Sequence, residues 1–241
     1  MSISGSCQEA SRYYDNLAVK LISAGNFSEA REYLNNSLAR NSSNAEAWIH
    51  KGNAESALRD LNSSLRSFQR AVDLDSKSAA AWSGLADAYS QSKDYGNASA
   101  AAVELTELDP NNKAYWLRKG SMKQMQGDFE TAALDLDRAI ALDSKYRDAL
   151  YRKALSELSA NRVSRALELL ETVISIDAGY KQAYNAKGLA LEMQGDHERA
   201  IAAYDRALKI DGKWSVALTN KMHALLAAGR QKEAADILLR L

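Results

Sequence analysis

Histidine, cysteine and clustered carboxylates are the residues through which a chain of 241 amino acids would announce catalysis or metal binding, and here they do not converge. His50, His197 and His223 stand in three different segments and at three different positions of the repeat set out below. A shared metal, which needs ligands within about 2 Å of one ion, is therefore not indicated. No phosphate-cradling glycine loop and no nucleophile elbow is present. Cys7 is the one cysteine, so no internal disulfide can form, which fits a reducing cytoplasm. These residues point to a protein without catalytic, metal or cofactor chemistry. What the chain offers is recognition chemistry: Arg118 and Arg152 stand one repeat apart, with Tyr151 and several leucines nearby in sequence. A guanidinium fork grips a carboxylate in a bidentate way, and beside aromatic or aliphatic surface it forms the mixture found at binding hot spots.

The spacing of these side chains belongs to a larger pattern. Trp48, Trp82 and Trp116 recur every 34 residues, and Leu150, Tyr184 and Leu218 continue the slot. Blocks beginning at residues 11, 45, 79, 113, 147, 181 and 215 align to the last residue without an insertion. Four positions after the aromatic slot lies a column of small residues, Ala18, Gly52, Ala86, Gly120, Ala154 and Gly188, broken by Met222. A second small column runs Ala30, Ser64, Ala98, Ala132, Ala166, Ala200 and Ala234. Small side chains let helix backbones approach, and two such columns place two helices in each block. The apolar steps within blocks, as in Phe129, Ala132, Ala133, Leu136, Ala139 and Ile140, have helical spacing.

Turn and cap signals divide each block. Gly25, Gly127, Gly195 and Gly229 share a column with Arg59, Lys93 and Asn161, a position suited to positive φ after a helix. Next come Asn26, Asp60, Asp94, Asp128 and Asp196, able to cap the following helix, with Arg162 and Arg230 in the two blocks that lack such a cap. The spacing predicts first helices near 12–24, 45–58, 79–92, 113–126, 147–160, 181–194 and 215–228. Second helices are predicted near 27–40, 61–74, 95–108, 129–142, 163–176, 197–210 and 231–241. Pro110, the only proline, falls between helices.

Composition narrows the function. Lys plus Arg and Asp plus Glu number 31 each, which speaks against a general nucleic-acid binder. No apolar run approaches membrane-spanning length. Residues 1–10 are Ser-rich and lack the basic start and apolar core of a signal peptide, so they are expected to be a short flexible lead ahead of a cytoplasmic protein. The N-x-S/T motifs at Asn26, Asn35, Asn41, Asn62 and Asn97 arise easily by chance in Asn- and Ser-rich sequence.

The block from Ala79, with Trp82, Leu85, Ala86, Tyr89, Ala98 and Pro110, resembles the tetratricopeptide repeat family, whose pattern is W-x2-L-G-x2-Y followed by A, F, A and P. The block from Ala45 adds Trp48, Gly52, Phe68 and Ala71, and the resemblance covers residues 11–241. Lysine replaces the family leucine at Lys51, Lys119, Lys153, Lys187 and Lys221, either as packing variants whose stems cover apolar surface or as a basic stripe. The resemblance implies an all-α, right-handed superhelical solenoid of antiparallel helix pairs, six complete repeats and a shortened seventh, as one domain over 11–241. It also implies a protein-interaction scaffold that holds a peptide or partner protein in a concave groove, with no nucleic acid, membrane or cofactor involved. Two rival readings are a self-association module and the non-catalytic arm of a larger enzyme.

In that family the first helix of each pair lines the groove. Carried onto this chain, the groove positions include Asn53, Leu117, Arg118, Ser121, Tyr151, Arg152, Leu155, Asn185 and Leu189, with Leu158 beside them. A partner segment bearing a carboxylate suits Arg118 and Arg152, and Asn185 adds an amide for a peptide backbone. Leu155, Leu158 and Leu189 have a second use open to them, as packing between neighbouring first helices. The family's chaperone-tail clamp is matched by Asn53 and Arg118 but lost at Ile49, Gly84 and Ala114, so that role is not expected. At the other end, Ile237, Leu238 and Leu241 would lie on or near an open end with no polar capping helix after them, which suggests a fragment of a longer chain, a homodimer through this repeat, or a last helix amphipathic enough to stand bare.

Overall fold

The computed structural model describes the backbone of residues 3–238 and the side chains of residues 7–238. Among them every regular element is an α-helix, and the helices form two compact units divided between Asn111 and Asn112. The first unit holds α1 (Ile3–Ser23), α2 (Phe27–Arg40), α3 (Ala45–Ala57), α4 (Leu61–Leu74), α5 (Ala79–Gln91) and α6 (Tyr95–Leu108). The second holds α7 (Lys113–Met125), α8 (Phe129–Leu142), α9 (Arg147–Ser159), α10 (Val163–Ile176), α11 (Lys181–Met193), α12 (His197–Ile210), α13 (Ser215–Ala227) and α14 (Gln231–Leu238). Six of the seven predicted second helices match to the residue, and those first helices that follow a loop end one residue early, at the C-cap. One boundary differs at the start: α1 already begins at Ile3, within the stretch expected to be a flexible lead. Ser11 explains why order reaches past the first block's edge. It is buried, and Ser37 Oγ donates to its carbonyl at 2.9 Å, tying α1 to α2.

The turn column behaves as its chemistry requires. Gly25, Gly127, Gly195 and Gly229 take φ between 75° and 84°, and Arg59, Lys93 and Asn161 adopt the same region at 58° to 62°. A side chain there meets its own backbone, at a cost of about 1 kcal/mol. Lys93→Gly is therefore expected to raise stability by about 0.5 kcal/mol, less than the full relief because glycine also loosens the unfolded chain. Urea unfolding would show it, and a lower midpoint would mean that the Lys93 side chain contributes packing of its own. Of the five expected caps, Asp60, Asp94, Asp128 and Asp196 accept from the backbone N–H three residues on, whereas Asn26 makes no such bond.

Five of the second helices present one large residue to the first helices, in the column Leu34, Phe68, Leu136, Leu170 and Tyr204, all fully buried, while α6 places Ala102 there. Burial of a side chain of this size contributes about 1.5–3 kcal/mol. Small residues face them by necessity. A Cβ at Gly188 would lie 2.3 Å from the Tyr204 ring, and one at Gly120 2.9 Å from Leu136. Phe68 is enclosed from two sides, by Gly52 on α3 and Gly84 on α5. Tyr204 satisfies its buried hydroxyl by donating to Glu192 Oε2 at 2.5 Å.

Charges form ladders that follow the repeat. Lys153, Lys187 and Lys221 each reach a carboxylate sixteen residues back on the preceding second helix, Asp137, Glu171 and Asp205, at 2.5, 2.5 and 2.6 Å. Lys119 meets Asp135 at 3.2 Å, and Lys51 lies 5.0 Å above the Trp48 ring. The lysines in the family leucine slot are thus packing variants with compensated charge, not a basic stripe. A second ladder is confined to the second unit. Lys113, Arg147 and Lys181 pair with Asp143, Asp177 and Asp211 at 2.5 to 2.7 Å and lie 4.5 to 4.9 Å above Tyr146, Tyr180 and Trp214. Those aromatic residues occupy helix N-cap positions without capping through their side chains, where Asn44 and Ser78 of the first unit do cap. In place of a capping oxygen, each of these positions offers a ring face to the cation of the ladder.

Near the other end, Ile237 is 4% exposed within the core cluster that also holds Leu218, Leu225 and Ala234, so it belongs to the core and not to an open face. Leu238 is exposed, and Leu241 lies outside the described residues.

Candidate functional site

In the second unit α7, α9, α11 and α13 touch in succession, while α8, α10 and α12 make no comparable contact with one another. Spacing that is closer among first helices curves this layer inward, so α7, α9 and α11 present an inner face. The same holds for α1, α3 and α5 in the first unit.

Arg118, Tyr151, Arg152, Leu155 and Leu189 come from this inner layer. Arg152 is exposed and braced: its Nη1 donates to Gln124 Oε1 at 3.4 Å, and Gln124 Nε2 donates to the Arg152 carbonyl at 2.6 Å. Gln124 also reaches Ser156 Oγ at 2.7 Å, so this one amide links α7 to α9. Tyr151 is half-buried with its ring edge-on to Tyr180 at 5.2 Å, and its hydroxyl makes no hydrogen bond among the described residues. Burial pushes the phenol pKa up, so it stays a neutral donor at pH 7. Arg118 is half-buried on α7. Leu189 is 38% exposed, and Met193 one turn on is 49% exposed.

The remaining expected residues have structural duties. Leu117 is half-buried against Leu136 and Ala149, and Leu155 and Leu158 pack around Leu170 and Ala186. The second use open to Leu155 and Leu158 is therefore realised, while Leu189 stays on the surface. Ser121 is buried and donates to the Leu117 carbonyl at 2.7 Å. Asn185 is buried, with its oxygen accepting from Asn220 Nδ2 at 2.9 Å, which makes it a strut between α11 and α13. Asn53 belongs to the first unit, where it is exposed on α3. Gln124 and Met193 were missed by residue-type reasoning. Gln124 stands one repeat of 34 residues before Leu158, so its position was the available signal.

One turn before Asn53, His50 Nδ1 donates to Asp15 Oδ1 at 2.9 Å and joins α3 to α1. That hydrogen bond raises the imidazole pKa above its ordinary value, against the opposing effect of burial. Because the folded value is raised, the stabilisation is full below the unfolded pKa and is lost as pH rises through the folded one. Thermal unfolding of His50→Gln against the parent is expected to differ more at about pH 6 than at about pH 8.5. An equal difference at both would mean that the pair does not depend on imidazole charge.

Among the described residues no His, Cys, Asp and Glu group could hold a metal, and no helix is long and apolar enough to cross a membrane. Tetratricopeptide repeat models match residues 16–61, 124–181 and 151–213, and a related tetratricopeptide model matches 57–119. The chain belongs to the tetratricopeptide repeat family. Its fold is similar to a tetratricopeptide repeat protein from Parabacteroides merdae, with 16% identity over 94% of this chain and 90% of that one, at a TM-score of 0.80. It is also similar to MamA, with 26% identity over 68% of this chain and 96% of the other, TM-score 0.62. A third is YrrB, a TPR protein with an unusual peptide-binding site, with 21% identity over 78% and 97%, TM-score 0.63. No curated protein matches the sequence significantly.

Proposed function

We propose that this protein is a non-catalytic scaffold that binds a protein segment bearing a carboxylate on the inner face of its second unit. The observation that carries this reading is the conjunction of Arg152, exposed and braced by Gln124, with the unengaged Tyr151 hydroxyl on the same helix. Arg118 and Arg152 would take the carboxylate, Tyr151 would donate to a backbone carbonyl, and Leu189 would receive an apolar side chain. Leu117, Ser121 and Asn185 set the spacing of the helices that carry them. Asn53 would serve a separate contact in the first unit. Family membership supports a protein partner, and YrrB, with its peptide-binding site, shows what a similar fold supports. A cytoplasmic setting suits the lone cysteine.

Affinity capture followed by competition with short peptides from the captured protein tests the reading. Release by acidic peptides and not by their amide counterparts is expected, and equal release by both would contradict it. Self-association through the last repeat is the rival reading, with exposed Leu238 as its remaining support. Sedimentation over a range of concentrations separates the two, since a strict monomer removes the rival.

A further inference from the structure

The second-helix side of the chain carries a pattern with a period of two blocks. An aromatic residue is followed three positions on by lysine and twenty-two positions on by arginine in Trp48, Lys51 and Arg70, in Trp116, Lys119 and Arg138, and in Tyr184, Lys187 and Arg206. The intervening blocks place Glu104 and Thr172 in the arginine slot.

In the sixth block these residues border a hollow of about 350 Å³ between α10 and α12, floored by α11. Its charge is unbalanced. Of Lys187, Arg199 and Arg206, Lys187 holds Glu171 at 2.5 Å and Arg199 meets the Asp196 cap at the rim, which leaves Arg206 without a counter-ion. The Arg206 guanidinium lies 5.9 Å from the centre of the Tyr184 ring and has no carboxylate partner among the described residues. Arg199 donates through Nη1 to Asp196 Oδ2 at 3.3 Å, and its side chain is 69% exposed. The equivalent furrow one block earlier has the opposite sign, with Asp137, Glu157 and Glu168 against Lys153 and Arg165. The equivalent first-unit furrow again sets Lys51, Arg66 and Arg70 against Glu55 alone.

We propose that the α10–α12 furrow is a second binding surface, which takes an extended acidic segment of a partner protein. Arg199 and Arg206 stand two turns apart on one face of α12, a rise of about 10 Å. A segment in polyproline II conformation returns to the same side every third residue, with a rise of about 9 Å, so the fitting segment has the form Glu-x-x-Glu. An apolar side chain between the two acids meets Ile174 and the Tyr184 ring edge. The surface is separate from the inner face and does not rest on the inner-face reading.

The test is fluorescence anisotropy of a fluorescein-labelled Glu-Ala-Phe-Glu peptide with the full chain. Arg199→Ala with Arg206→Ala is expected to weaken binding at least fivefold, while the charge-matched Lys145→Ala with Lys209→Ala, exposed and outside the furrow, changes it less than twofold. Both arginines of the furrow lie on the surface, and circular dichroism confirms that the variants fold. Unchanged affinity in the furrow variant overturns the proposal. An equal loss in the Lys145→Ala, Lys209→Ala control would mean attraction to overall positive charge and also overturns it. A concentration-dependent dimer abolished by Arg206→Ala would overturn the partner assignment in favour of a second copy.

Discussion

Gly84→Ala is expected to be among the most destabilising single-methyl additions in the chain. The new Cβ would stand 2.1 Å from Phe68 Cε1, and the ring cannot retreat because Gly52 closes its other side at 2.8 Å. Phe68 is 1% exposed, so no solvent-facing rotamer relieves the overlap. Overpacking of this kind costs about 1–3 kcal/mol, and in a chain of this size each kcal/mol lowers Tm by about 2–4 °C. Combining Gly84→Ala with Phe68→Leu should restore part of the loss, because the smaller side chain vacates the space that the methyl takes. That partial recovery distinguishes overpacking from a general intolerance of α5. A Gly84→Ala protein that melts with the parent would mean that α3, α4 and α5 do not pack around Phe68 as described.

The second large effect concerns binding. Arg118→Ala with Arg152→Ala is expected to lower affinity for a captured partner by tenfold or more, since arginine anchors at hot spots carry about 2 kcal/mol or more each. Lysine at both positions should recover only part of the loss, because a point charge does not reproduce the bidentate fork. Tyr151→Phe isolates the hydroxyl and should cost less than the arginine pair. Unchanged affinity in the double alanine variant would remove the inner face as the site.

The helices were legible in the sequence because the repeat supplies seven readings of one pattern. A turn column holding Gly25, Gly127 and Gly195 identified Arg59, Lys93 and Asn161 as positive-φ residues although their types alone do not. Cap residues were read correctly where aspartate stands and incorrectly at Asn26, whose side chain makes no capping bond. The inner face was less legible. Column position assigns a side chain to a helix face but not to solvent or core, and that choice depends on the neighbouring block. Asn185 is a strut because Asn220 happens to face it, and Ser121 turns back to its own helix because a hydroxyl within reach of a carbonyl satisfies itself locally. Gly84 shows the same limit from the other direction. It occupies an inner-face column, yet its decisive neighbour is a ring on α4 that no single-column reading connects to it.

Hydrogen exchange of the full chain with and without its captured partner tests the central claim most directly. Slowed exchange concentrated in α7, α9 and α11, and diminished in the Arg118→Ala, Arg152→Ala protein, is the predicted result. Protection confined to second helices, with α7, α9 and α11 exchanging as in the free protein, would contradict an inner-face site.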